Sequence, residues 1–161
     1  MSIRKANKND VKSILEIENR IMLLENKENG FFYGAYSEED LKEDIEYIYV
    51  YEDKNSKVTG YICIEDEICS KNVAKSLIDY CKGYKYISGL GIHPDHFRNG
   101  YALELLNFAK ENFKCVSAVY INPDINEVSI KAHLKAGFKI ISEVVKDDDG
   151  KTLIGLTNKL V

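Results

Sequence analysis

The chain has 161 residues, 45% hydrophobic and 30% charged, ordinary proportions for one globular domain with a packed core. Its formal net charge is −4, which argues against a general nucleic-acid binder, although a local cluster of donors can still hold an anion. Only two prolines occur, no Pro/Gly/Ser-rich linker or internal repeat divides the chain, and residues 1–161 read as a single domain.

In chain order, "SIRKA" (2–6) alternates as a short strand, and Asp10 offers an N-cap to a helix with Ile14, Ile17, Ile21 and Leu24 at helical spacing. The loop "NGFFYGAY" (29–36) is aromatic, and Ser37 with Asp40 resembles a capping box opening a second helix over 38–47. Strands at 47–53 and 57–67 are joined by a hairpin at Asp53–Ser56. A short helix over 71–82 precedes a strand at 84–92, whose glycines at 89 and 91 predict a bulge or a close approach by another backbone. Ala102, Leu105, Leu106, Ala109 and Phe113 share one face of a helix over 101–113. A buried strand at 115–121 and a helix at 126–136, stopped by Gly137, follow. "DDDG" (147–150) then joins two closing strands as a solvated hairpin turn, since it lacks the spacing of a calcium loop. This order implies an α/β (α+β mixed) fold, a mixed sheet with helices on it.

"MSIRKANKND" lacks the apolar core of a signal peptide, and no apolar run approaches the ~20 residues needed to span a bilayer. Cys63, Cys69, Cys81 and Cys115 form no CxxC pair, and no His stands at zinc-finger spacing. The expectation is a cytoplasmic protein with reduced thiols, no metal and no membrane partner.

The segment "GIHPDHFRNGYALELLNFA" (91–109) runs from strand end to helix start. A helix start leaves N–H groups without internal partners, and with the helix dipole these favour an anion. Gly100 has no Cβ to keep a ligand away, Ala102 is small, and Arg98 adds a cation. A phosphate or pyrophosphate suits these features; a plain turn glycine and a solvated arginine are the alternative.

"GLGIHPDHFRNGYALELLNFA" resembles the acetyl-CoA signature of the GNAT superfamily of N-acetyltransferases, a strand ending in Leu-x-Val-x-Pro, then Gln/Arg-x-x-Gly-x-Gly/Ala and a helix. Leu90, Ile92 and Pro94 match the strand, and Gly100 and Ala102 match the last two turn positions. Phe97 stands where the family has Gln or Arg, and Arg98 comes one place late. Downstream, "NEVSIKAHLKAGF" resembles the family's C-terminal half, with Asn126, Ser129, His133, Gly137 and Phe138 in register; the Ser and His version is similar to the phosphinothricin acetyltransferase branch.

The resemblance implies a central mixed, mostly antiparallel sheet with helices on both faces. It implies a fourth strand splayed from the fifth, with acetyl-CoA as co-substrate between them. Leu90 and Ile92 would offer backbone groups to the pantetheine arm. The turn of Phe97, Arg98, Asn99, Gly100, Tyr101 and Ala102 would hold the pyrophosphate. Asn126 would bind pantetheine, cap its helix, or both. His133 occupies the position of a general acid, commonly Tyr in the family, and is either a proton donor to the departing sulfur or a half-buried residue that positions its neighbours.

No carboxylate lies in "YISGL", where many relatives carry a Glu, so Tyr86 or Ser88 holding a water, or Glu65, Asp66 or Glu67, are the candidates for receiving the amine's proton. His93 and His96 read as turn residues. Phe31, Phe32, Tyr33 and Tyr36 either line an acceptor pocket or belong to the core. The expected acceptor is a small-molecule or peptide amine, and a homodimer is possible. A non-catalytic acyl-CoA-binding regulatory domain, or another nucleotide binder built on the same glycine turn, are the competing classes.

Overall fold

The computed structural model describes residues 1–24, 36–121 and 126–161; the aromatic loop, apart from Tyr36, lies outside them. Seven strands form one sheet: β1 (Ser2–Lys5), β2 (Ile48–Glu52), β3 (Val58–Glu65), β4 (Lys85–Ile92), β5 (Cys115–Tyr120), β6 (Lys139–Lys146) and β7 (Thr152–Thr157). Their spatial order is β1-β2-β3-β4-β5-β7-β6, and every neighbouring pair is antiparallel except β4 and β5, which run parallel. The helices are α1 (Val11–Leu24), α2 (Glu38–Asp44), α3 (Lys71–Ser76), α4 (Tyr101–Asn112) and α5 (Asn126–Lys135).

Strand alternation separates two cores across the central strands. Tyr61 and Cys63 pack with Val11, Ile14, Ile17 and Leu41 of α1 and α2. Their neighbours Ile62 and Ile64 pack on the opposite face with Leu105, Leu106 and Ala109 of α4. Val73 and Leu77 of the α3 segment close a third cluster with Val116, Val145 and Leu153. Helices therefore cover both faces of the sheet, as the resemblance implied.

Several boundaries differ from the sequence expectation, each for a local reason. Asp10 is not the N-cap: Asn7 caps a short 3-10 turn ahead of α1, and Asp10 is its reciprocal capping partner, accepting from the Asn7 amide at 2.8 Å. Arg4 then holds that carboxylate at 2.8 Å and keeps it charged below the usual range, despite burial. Ser37 and Asp40 do form the expected capping box. The helices expected over 38–47 and 71–82 each tighten into a 3-10 turn, at Ile45–Tyr47 and Ile78–Tyr80. Phe113 is extended and ends α4. Gly137, at φ +93°, ends α5 with the Phe138 amide bonded back to the His133 carbonyl.

The closing turn is less solvated than "DDDG" suggests. Asp147 is buried and accepts from Tyr120 Oη at 2.7 Å and from the Lys151 and Asp149 amides. Burial alone would raise its pKa, but those bonds outweigh it and lower the value. No cluster of metal-ligating side chains occurs among the described residues, and all four cysteines are unpaired.

Candidate active site

The site follows from a fault in the sheet. Cys63 pairs with Gly89 and Ile64 with Ile87, so Ser88 is an extra residue on β4. Such a bulge bends its strand. On the other edge β4 pairs with β5 only at Lys85–Cys115, Tyr86–Val116 and Ile87–Ser117. Beyond that point the parallel strands part. The gap holds a cavity of about 160 Å³, bounded by Ser88 to Leu90 on one side and Ser117 to Tyr120 on the other.

The open edge of β4 presents backbone groups to this gap. The His93 amide bonds to the Thr59 carbonyl on the β3 side. Backbone direction alternates along a strand, so Gly91 faces β3 as His93 does, while Leu90 and Ile92 direct their N–H and C=O groups the other way. The two residues expected to offer backbone to an extended ligand therefore point theirs away from the strand that would satisfy them.

Of the two expectations for the β4 glycines, the bulge is present beside Gly89, while the close approach is made by side chains and not by another backbone. A Cβ on Gly91 would lie 2.5 Å from the Tyr61 ring, and one on Gly89 would lie 3.6 Å from that ring and 3.5 Å from the Tyr36 hydroxyl. At Gly91 the strand is bare so that the Tyr61 ring can lie against it, whereas at Gly89 a Cβ would make ordinary contacts.

At the end of β4, Pro94–His96 form a 3-10 turn capped by His93, whose Nδ1 accepts from the Asp95 amide at 3.2 Å. His93 and His96 are turn residues, as expected. Arg98 has φ +66° and Gly100 φ +80°, with no atom within 4 Å of where a Cβ on Gly100 would stand. The first main-chain bond of α4 runs from Glu104 N–H to the Gly100 carbonyl, and no side chain caps the helix. The amides of Tyr101, Ala102 and Leu103 lie ahead of that bond, and Phe97 to Gly100 are exposed. The Tyr101 ring stacks with Tyr51 and with His96.

α5 delivers Asn126, Ser129 and His133 to the wall of the cavity. His133 is buried, not half-buried. Its Nδ1 lies 2.8 Å from the Ser129 carbonyl, which can only accept, so Nδ1 carries a proton. Its Nε2 lies 3.1 Å from Ser117 Oγ on β5. Burial lowers the pKa of the imidazole, the Ser129 bond opposing, so the neutral form is favoured and Nε2 accepts the Ser117 proton. Both ring nitrogens are thus engaged by protein groups, and His133 reaches the interior of the cavity through the Ser117 hydroxyl.

Ser88 is exposed in the cavity wall, where its hydroxyl interacts with Tyr36 and Cys63. The other candidate proton acceptors are spent elsewhere. Asp66 pairs with Lys85, Glu65 accepts from Cys69, and none of Glu65, Asp66, Glu67 or Tyr86 is among the cavity-lining residues. A carboxylate bonded to two residues of the cavity wall was not foreseen. Glu18 of α1 is fully buried, accepts from Tyr61 Oη at 2.7 Å through Oε1, and accepts from the Tyr36 amide at 2.7 Å through Oε2. Burial raises its pKa to about 7, the two hydrogen bonds opposing. Its signal was present in the sequence: Glu18 stands four residues after Ile14 and three before Ile21, on the apolar stripe of the helix.

A model of the acetyltransferase (GNAT) family matches residues 11–138. The chain belongs to this family. GNAT enzymes take their acetyl group from acetyl-CoA, and membership makes this protein an acetyl-CoA-dependent acetyltransferase. No curated protein matches the chain. Among solved structures, a GNAT-family acetyltransferase from Bacillus cereus ATCC 10987 superposes with a TM-score of 0.70 at 20% identity, covering 99% of this chain and 97% of that one. An N-acetyltransferase from Staphylococcus aureus Mu50 gives 0.67 at 19% identity, covering 98% and 100%. The yncA protein of Salmonella typhimurium, solved with its cofactor acetyl-CoA, gives 0.66 at 21%, covering 98% and 90%. At these identities the likeness establishes a shared fold, and the family model carries the membership.

Proposed function

We propose that this enzyme acetylates a primary amine of a small molecule or a peptide, and that the gap between β4 and β5 is where the transfer occurs. The supporting observation is the parting of those strands beyond Ile87 and Ser117, with an uncapped helix start at the end of β4. An extended thioester arm joined to a pyrophosphate fits both features: backbone groups along one edge, and orphan amides at the α4 start.

In this reading the amides of the Phe97–Ala102 turn hold the pyrophosphate, and Arg98 adds charge beside it. Gly100 leaves the approach open. Leu90 and Ile92 bond the pantetheine arm through their main chain, and Asn126 through its side-chain amide. Acetyl-CoA supplies an activated carbonyl bonded to a good leaving sulfur. The protein's share is to hold the amine against that carbonyl, take up the amine's proton and return one to sulfur.

Ser117 and His133 form the sulfur-side pair. With a neutral imidazole the Ser117 hydroxyl donates its hydrogen bond to His133 Nε2. A protonated imidazole instead donates from Nε2 to Ser117 Oγ and turns the hydroxyl proton towards the cavity. Ser117 thus delivers the proton that His133 controls. Ser88, on the opposite wall, orients a water beside the incoming amine.

The test is thermal unfolding with and without acetyl-CoA, followed by an amine panel read by thiol release. The expected result is a rise in Tm with acetyl-CoA, since a ligand bound only to the folded state stabilises it, and thiol release with at least one primary amine. A Tm rise with no release for any amine would replace this reading with that of a non-catalytic acyl-CoA-binding domain.

A further inference from the structure

The proton that the amine loses needs a destination. None of the acidic residues on β3 and its following turn lines the cavity, and β4 carries no carboxylate. From the α1 face, the carboxylate of Glu18 bonds two residues of the cavity wall, through Tyr61 Oη and the Tyr36 main chain.

We propose that Glu18, acting through Tyr61, is the terminal acceptor of the proton released by the attacking amine. This rests on the acetyltransfer reading above.

The step balances without any further reagent. The N–H bond of the cationic amine breaks as an O–H bond forms at Tyr61 Oη. The original Tyr61 O–H bond breaks as its proton passes to Glu18 Oε1, 2.7 Å away. The amine nitrogen loses its positive charge, Glu18 loses its negative charge, and Tyr61 ends unchanged. A phenol is suited to such a relay because it donates and accepts at one oxygen. Tyr61 does not ionise on its own, since burial and the neighbouring carboxylate hold its pKa well above 10.

The surroundings keep Glu18 available at neutral pH. Tyr61 and Cys63 face it from β3, and Tyr36 from the segment before α2. All three are neutral there, burial raising each pKa. No cation neutralises Glu18 among the described residues: the carboxylates that hold lysine, arginine or histidine partners lie elsewhere. Burial sets its pKa to about 7, where a proton acceptor is most effective near neutral pH. The bare backbone at Gly91 is what lets the Tyr61 ring lie between Glu18 and the cavity.

The deciding measurement is the pH profile of kcat in the intact enzyme with a saturating amine and acetyl-CoA. The parent should show an acid limb with a midpoint near 7. Glu18→Gln should remove that limb and lower kcat at pH 7.5 by about 10²-fold, while its affinity for acetyl-CoA, read by thermal shift, stays unchanged. Tyr61→Phe keeps the ring packing and should lower kcat to a similar extent, with the double variant no slower than the worse single one. Glu18→Gln retaining the parent rate and the parent midpoint would overturn the proposal. If that variant fails to fold, Tyr61→Phe decides: parent turnover in it would overturn the relay. A parent that binds acetyl-CoA but acetylates no amine would instead overturn the acetyltransfer reading on which this one stands, so the two failures are distinct.

Discussion

Ser117 Oγ on β5 lies 3.1 Å from Nε2 of His133 on α5, and this bond couples the deepest histidine of the fold to the cavity wall. Because Nδ1 is held by Ser129, Nε2 is the only ring nitrogen left for chemistry. His133→Ala should lower kcat by about 10²-fold, the lower end for general acid–base catalysis, and Ser117→Ala should do nearly as much. Acetyl-CoA affinity should change little. If proton delivery runs through both, the double variant loses no more than the worse single one. His133→Phe turning over at the parent rate with saturating amine would make the imidazole structural.

Gly100 separates backbone strain from ligand exclusion. At φ +80° any side chain is strained, yet nothing stands within 4 Å of its Cβ position. Gly100→Ala should therefore cost about 1 kcal/mol of stability without a clash, and acetyl-CoA should still raise its Tm. Gly100→Glu puts a carboxylate at the orphan amides of α4 and should abolish the acetyl-CoA shift. An undiminished shift in that variant would remove the turn from the binding site.

Arg98, exposed and at φ +66°, is the cation nearest that turn. Arg98→Ala should weaken acetyl-CoA binding by roughly 1–2 kcal/mol at low salt, the scale of a charge-assisted hydrogen bond, and by less at high salt. Titration calorimetry at two ionic strengths measures this; equal affinity at low salt would make Arg98 a bystander.

The parts of this architecture that were legible from sequence are those written in local chemistry. The turn glycine, the apolar face of α4 and the Ser37–Asp40 box announce themselves because caps and positive φ values restrict residue choice. The splayed strands were legible only through resemblance: glycines at 89 and 91 hinted at a bulge, but where β4 leaves β5 depends on how the strands register, a non-local property. Asp10 was misplaced because two nearby residues, Asn7 and Asp10, share one reciprocal capping exchange, and both residue types suit an N-cap. Glu18 was overlooked because a glutamate in an otherwise apolar stripe reads as a surface residue until Tyr61, 43 positions away, is seen against it.

Gly91 tests the close contact directly. A Cβ there would lie 2.5 Å from Tyr61 Cε1, on a ring that is itself fully buried and tied to Glu18 through its hydroxyl. Gly91→Ala should destabilise the protein by about 1–3 kcal/mol through overpacking. Chemical denaturation measures it, and a variant as stable as the parent would show that the ring can yield.

Stability against pH carries two opposing signatures. His93 and His133 both have pKa values lowered from 6.5 by burial. Below 6.5 the unfolded chain binds protons that the folded chain refuses, so their contribution is fully present above 6.5 and lost as pH falls towards the folded values. Glu18 acts in reverse. Its pKa rises from 4.5 to about 7, so the folded chain binds the extra proton between those values. That contribution is fully present below 4.5 and lost as pH rises through 7. Urea unfolding from pH 4.5 to 8 should therefore show a decline on the acid side that His133→Asn reduces. Glu18→Gln should make the slope of stability against pH more positive between 4.5 and 7, because it removes the term that falls with pH while leaving the histidine term. An unaltered slope in Glu18→Gln would mean that the carboxyl titrates at its ordinary value despite its burial against Tyr61.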